Sequence, residues 1–230
     1  MRNILTPEQL DALRRLSTCT MANTIESFDV RLRNTGFTNA SVRCVFPELP
    51  PMVGYAATAR IRCSLPPMEG HAYVDRTDWW NYLLTIPAPR VVVLEDADRS
   101  PGLGSFVGEV HANILLALGC VGVVTNGAVR DLHAVEPTRF QMFAGNVAVS
   151  HAYAHIFEFG GVVELGGLKI LPGDILHGDR HGVLTIPPEI AGAVPGAAQK
   201  LIEREQRIVA FCRSPEFSLD RLREFFKVRG

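Results

Sequence analysis

"RVVVLEDADRSPGLGSFVGEVHANILLALGCVGVVTNGAVRD", residues 90–131, holds two continuous β-branched runs separated by a helix-like segment. An apolar run that ends in charged or turn residues reads as a strand buried on both faces. Between the two runs, Val107, Val110, Ile114, Ala117 and Leu118 fall at helical spacing, and Gly119 supplies a stop. Strand, helix, strand with short connections predicts a βαβ unit with parallel strands, whose functional groups collect at the strands' carboxyl ends. "EDAD" (95–98) and "NGAVRD" (126–131) both fall at that edge.

Outward from this unit, the amino-terminal side opens with a helix signal: Thr6 as N-cap, Pro7 at the first helical position, Gln9 three residues after the cap, then Leu10, Leu13 and Leu16. "VGYAATARIRC" (53–63) reads as a strand. Beyond residue 140 the text changes to short strands cut by glycine pairs, "GGVVELGGLKILPGDILHGDRHGVLTIP" (160–187), which predicts tight reversals and an antiparallel portion. A helical pattern closes the chain. The expectation is one α/β domain over residues 1–230 with a mixed sheet and terminal helices at about 6–17 and 188–212.

Composition bounds the function. The chain has 230 residues, 47% of them apolar, and a formal charge of −1. No basic stripe suggests binding to a nucleic acid backbone. Five cysteines without CxxC spacing argue against a disulfide framework or a structural zinc site and fit a reducing cytoplasm. No apolar run approaches the roughly 20 residues that span a bilayer, so no membrane partner is expected.

Several groups could carry chemistry. Arg130 and Asp131 follow the Asn126–Gly127 turn, which could swing both side chains into a cleft. Arginine's fork suits a carboxylate and an aspartate at a sheet edge can hold a divalent cation, while an ordinary surface ion pair is the competing reading. The helix start "GLGSFVGEVH" (102–111) offers backbone N–H groups to an anion, or its glycines simply allow close packing. Glu205 falls within the apolar stripe Ala198, Leu201, Ile208, Cys212; there it needs a basic or metal partner unless it reaches solvent. The His151/His155 and His177/His181 pairs lack the HExxH form and read as structural or surface histidines.

Taken together, "GYAATAR" (54–60), "VGEV" (107–110), "GCVGVVTNGAVRD" (119–131) and "LPGDILHGDRHGVLTIP" (171–187) resemble the RraA-like family, which contains the regulator of ribonuclease activity A and the class II 4-hydroxy-4-methyl-2-oxoglutarate aldolases. The match runs from about residue 15 to 212. It implies an α/β fold of the β/β/α swivelling-domain type, shared with phosphohistidine domains, assembled into homotrimers or homohexamers with sites between subunits. The aldolase pattern implies Arg130 as clamp for the pyruvyl carboxylate and Asp131 as ligand of Mg2+ or Mn2+. It also implies Gly108 and the backbone amides of Val110 and His111 as substrate binders, and Glu205 as a carboxylate contributed by a neighbouring subunit.

The resemblance further implies a lyase that releases pyruvate from a 4-hydroxy-2-oxo acid and decarboxylates oxaloacetate. The alternative is a non-catalytic regulator of an RNA-degrading enzyme. One position departs from the aldolase pattern: Glu109 stands twenty-one residues before the arginine, where the pattern has aspartate, one methylene shorter. The regulator pattern favours glycine there and an acidic residue three after the aspartate, where this chain has Ala134. The departures therefore weigh more against the regulator than against the lyase.

Overall fold

Residues 4–67 and 76–227 are described by the structure, a computed structural model. The strands are β1 (Arg43–Cys44), β2 (Met52–Arg62), β3 (Arg90–Asp96), β4 (Ser105–Val107), β5 (Cys120–Thr125), β6 (Ala128–Val129), β7 (Gln141–Ala144), β8 (Asn146–Val147), β9 (His155–Phe159), β10 (Val163–Leu165), β11 (Leu168–Ile170), β12 (Ile175–Asp179) and β13 (Gly182–Ile186). The helices are α1 (Pro7–Arg14), α2 (Thr18–Glu26), α3 (Arg76–Thr85), α4 (Glu109–Ala117), α5 (Leu132–Val135), α6 (Val194–Cys212) and α7 (Leu219–Lys227).

The predicted βαβ unit is present: β3 and β5 are parallel neighbours, Val92 facing Val123 in register, with α4 between them in the chain. They sit within a mixed sheet of order β1-β7-β5-β3-β2-β12-β13, with β9 pairing the far half of β2. The β2–β3, β3–β5 and β5–β7 pairs are parallel, and the remainder antiparallel. This is the α/β architecture with a mixed sheet that the sequence predicts.

The unbroken β-branched runs have a direct structural cause. Val92, Leu94 and Val123 face a core shared with α1, α2, α3, α4 and α6, while Val91, Val93 and Val124 face a second core closed by the β10–β11 hairpin. A strand covered on both sides needs apolar residues at every position. Each fully buried valine or leucine here contributes about 1.5–3 kcal/mol. The hairpin turns on Gly166 and Gly167, both at positive φ, as the glycine pair predicts.

Two expectations are corrected. Val107 is strand rather than helix, because α4 starts only at Glu109; its buried face is Ala112 and Leu115, and Val110 stands 70% exposed. The last long helix begins at Val194, since residues 187–193 form turns after the paired prolines, and α7 adds a further helix. At the other end, Thr6 and Gln9 form the capping box their spacing predicts.

Candidate active site

The cleft is assembled by a second, much smaller sheet. β4, β6 and β8 are parallel neighbours of three and two residues each, and their carboxyl ends release Gly108, Arg130 and Ala148 side by side. Arg130 N–H donates to the Val107 carbonyl at 3.2 Å, fixing the register of the two ends. The Asn126–Gly127 turn launches β6 rather than aiming the Arg–Asp pair. Asn126 imitates a strand residue, accepting from the Asp96 N–H at 2.7 Å and donating to the Asp96 carbonyl at 3.0 Å.

What turns both side chains the same way is Asp131 itself. Successive strand residues point to opposite faces. Asp131 escapes that alternation with φ 57, a left-handed conformation that aspartate tolerates at a modest cost and that recurs at functional sites. The result is an Arg130 Nε to Asp131 Oδ2 distance of 3.4 Å, with about a third of each side chain exposed.

Gly108 faces this pair across the cleft. A Cβ there would collide with Asp131 Oδ2 and lie 3.0 Å from both Arg130 Cγ and Nε, so glycine is required for close approach. As N-cap of α4 it brings no side chain to cap the helix. Asp131 Oδ2 accepts the Glu109 N–H at 3.1 Å in its place. The Val110 N–H has no partner among the described residues, leaving donor capacity and the positive end of the helix dipole open to an anion. Asp131 Oδ1 likewise accepts no hydrogen bond among the described residues. A partly exposed hard oxygen with a second carboxylate, Glu109, in the same cleft suits a divalent cation that keeps most of its waters.

The cleft has a volume of about 300 Å³ and is lined by Gly108, Glu109, Val110, His111, Arg130 and Asp131, together with Ser105, Phe106, His151 and Ala154. Six of the seven sequence-predicted site residues therefore meet within one chain. The seventh, Glu205, is exposed on α6 and does not line this cleft. Val194 and Ala198 near the start of α6 are buried, whereas Val209 is 45% exposed; near the end of the helix Phe211 packs against Phe217 and Phe225.

His151 is the cleft residue that sequence reasoning passed over. Its Nδ1 contacts the Ala152 carbonyl at 2.6 Å, an acceptor, so Nδ1 carries the proton. The four-residue spacing to His155 was no guide, because His155 turns its Nδ1 to the Tyr153 carbonyl instead. His177 is buried between the Thr18 hydroxyl and the Leu16 carbonyl, and His181 contacts Asp179 Oδ1 at 3.0 Å. Within each pair the two rings turn to different partners.

A different cluster lies nearby. Cys63, Asp96 and Asp98 bring Sγ and carboxylate oxygens within 4.8 Å of one another. Burial pushes the Cys63 thiol up to about 12, with Asp96 and Asp98 adding to the shift, so it stays protonated and contacts the Gly104 carbonyl at 3.5 Å.

Comparisons with known proteins give the family and the fold. The model of the RraA-like family, described as Aldolase/RraA, matches residues 14–185. Protein DlpA of Legionella pneumophila is 26% identical over 131 residues, 56% of this chain and 21% of that protein. A Halalkalibacterium halodurans protein named "Putative 4-hydroxy-4-methyl-2-oxoglutarate aldolase" is 30% identical over 101 residues, 44% of this chain and 48% of its own length. The matched spans thus cover about half or less of these relatives. Among solved structures, Streptomyces coelicolor RraAS2, described as an unusual member of the RNase ES inhibitor RraA protein family, superposes with a TM-score of 0.68 at 19% identity, covering 88% of this chain and 97% of that one. The family match over most of the chain and the shared fold make this protein a member of the RraA-like family.

Proposed function

We propose that this chain is a divalent-metal-dependent lyase that cleaves a 4-hydroxy-2-oxo acid, of the 4-hydroxy-4-methyl-2-oxoglutarate type, to pyruvate. The observation that carries the reading is the convergence in one cleft of the Arg130 guanidinium, the open Oδ1 of Asp131 and the uncapped amino end of α4. The Halalkalibacterium relative supports the same chemistry.

In this reading Arg130 pairs with the substrate carboxylate and fixes its plane. The α4 amino end, through the Val110 and His111 amides, stabilises the negative charge that develops on the pyruvyl oxygens. Asp131 would hold Mg2+ or Mn2+, which would supply Lewis-acid polarisation of the 2-oxo group. Glu109 takes the proton from the C4 hydroxyl. The C4–O electrons then form a carbonyl, the C3–C4 bond breaks, and its electron pair passes into the pyruvate enolate, which is protonated at C3. Oxaloacetate yields the same enolate by losing carbon dioxide.

The working assembly in this proposal is a homotrimer or homohexamer in which Glu205 reaches the cleft of a neighbouring copy and assists Glu109. Exposed Val209 on α6 and the exposed apolar side chains Leu103, Val110, Val147, Val149 and Tyr153, the latter five on or close in sequence to cleft residues, support such an interface. Free thiols at Cys19, Cys44, Cys63, Cys120 and Cys212 support a reducing, cytoplasmic setting. No helix among the described residues is long and apolar enough to cross a membrane.

Purified protein with Mg2+ is expected to release pyruvate from 4-hydroxy-4-methyl-2-oxoglutarate or from oxaloacetate, and EDTA to abolish the release. Absence of pyruvate from both substrates would overturn the lyase assignment.

A further inference from the structure

A second cleft, of about 270 Å³, lies between α2, the loop at 31–38 and the β12–β13 turn, and none of its lining residues belongs to the Arg130 cleft. Its walls are mostly apolar, with Ala22, Ile25, Phe37 and Val183 among them, and Arg31 stands in the lining. Arg31 is held unusually firmly. Its Nη1 donates to the Thr185 carbonyl at 2.8 Å and to Thr185 Oγ1 at 3.1 Å, and its guanidinium packs so closely on Gly36, at φ +85, that any Cβ there would collide with it.

Among the described residues no carboxylate lies within 4.0 Å of Arg31. Of the other ionisable groups around the cleft, Arg33 lies 3.7 Å from Glu26, and the His181 ring contacts Asp179 at 3.0 Å. Burial lowers the Arg31 pKa, which reports the cost of holding a partly desolvated charge without a counterion. At the rim, Leu32 is 72% and Phe37 43% exposed, apolar surface that a bound molecule would cover.

We infer that this cleft is a binding site for a small organic monocarboxylate with an apolar body, its carboxylate paired with Arg31 and its hydrocarbon part against Ile25, Phe37 and Val183. A guanidinium already fixed in place loses little entropy on binding, and its remaining N–H donors give the planar geometry that a carboxylate matches. Glu26 and Arg33 also line the cleft but are paired with each other, which leaves Arg31 as the lining guanidinium without a carboxylate partner among the described residues. The inference stands apart from the lyase reading, because the two clefts share no residue.

Titration of the full chain, in its native assembly, with hexanoate and with its neutral isostere hexanamide tests the site by calorimetry or amide chemical shifts. Hexanoate is expected to saturate with a Kd of about 0.1–1 mM. Hexanamide and the Arg31→Met variant are expected to bind at least about tenfold more weakly, the effect of losing a charged hydrogen bond. Arg130→Ala is expected to bind hexanoate unchanged. Equal binding of hexanoate and hexanamide, no saturation, or displacement by substitution at Arg130 would each overturn the inference; the amide control needs no variant, so it decides even if Arg31→Met fails to fold.

Discussion

Two acidic groups lie at the same edge of this molecule and are built for opposite ends. Asp98 is fully engaged: Oδ2 accepts the Cys63 and Ser64 N–H groups, both at 2.8 Å, and Oδ1 the Ser64 hydroxyl at 2.7 Å. Asp96 accepts from the Asp98 and Gly102 N–H groups at 3.1 and 2.8 Å. These carboxylates tie β2 to the loop after β3. Asp131 carries one backbone donor and one arginine, both on Oδ2, and leaves Oδ1 open. Proximity of carboxylates therefore does not by itself mark a ligand site; unfilled acceptor capacity beside an independent cation and a helix amino end does. The Cys63, Asp96 and Asp98 cluster has the ligand spacing for a metal, yet its carboxylate oxygens already accept protein hydrogen bonds and burial pushes its thiol up to about 12.

The sharpest way to break this contrast is Arg130→Ala. If the open cleft is catalytic, kcat/KM for pyruvate release should fall by at least about 100-fold, the scale of removing one preorganised donor from developing charge. Thermal unfolding should move little, because a partly exposed ion pair is worth about 0–1 kcal/mol. The reverse result, lost stability with activity per folded molecule retained, would make the pair structural.

Asp98→Ala should show the mirror image. The substitution orphans the backbone N–H groups of Cys63 and Ser64, and buried Cys63 cannot recover its bond from water, so about 1–3 kcal/mol of stability should be lost. Denaturant unfolding measures this. Turnover per folded molecule should stay within a few-fold of the parent, and a metal-dependent stability that vanishes in this variant would show that the cluster binds a cation after all.

The same contrast explains what could be read from the sequence. β3 and β5 announce themselves because burial on two faces demands an unbroken β-branched run, and α1 because Thr6 and Gln9 satisfy each other locally. Arg130, Asp131 and Gly108 were reachable through the family's motifs. The device that assembles them was not: β4, β6 and β8 are two or three residues long, too short to display a period, and their pairing joins residues about twenty apart in the chain. Val107 was misassigned for that reason, as its apolar side chain suits a strand and a helix equally. Asp98 to Cys63 and Arg31 to Thr185 bridge still larger separations, 35 and 154 residues, and leave no local trace. Glu205 is a different case. Its apolar stripe was legible, but Glu205 itself is exposed on α6 and does not line the cleft.

The smallest expected effect concerns pH, and it separates fold from site once more. Burial lowers the His177 pKa from 6.5, outweighing the nearby Asp179 charge and the Leu16 carbonyl, which both favour the protonated ring. As pH falls through 6.5 the unfolded chain takes up a proton that the folded chain refuses, so this contribution to stability is complete above 6.5 and declines toward the lower folded pKa. At Asp179, burial works to raise the pKa, but hydrogen bonds from His181 and Thr18 outweigh it and hold the carboxyl below 3.8, extending the loss at still lower pH. Asp96 acts in the opposite sense: burial raises its pKa, so it gains relative stability as pH falls through its folded value. The melting temperature of the parent should therefore drop as pH falls below 6.5, and His177→Gln should flatten that decline while lowering the plateau above it. Because His177 sits under α2, away from the Arg130 cleft, pyruvate release assayed on fully folded protein should show no matching step in the variant. A catalytic pH profile that changed with His177→Gln would mean that the two regions are coupled through the sheet.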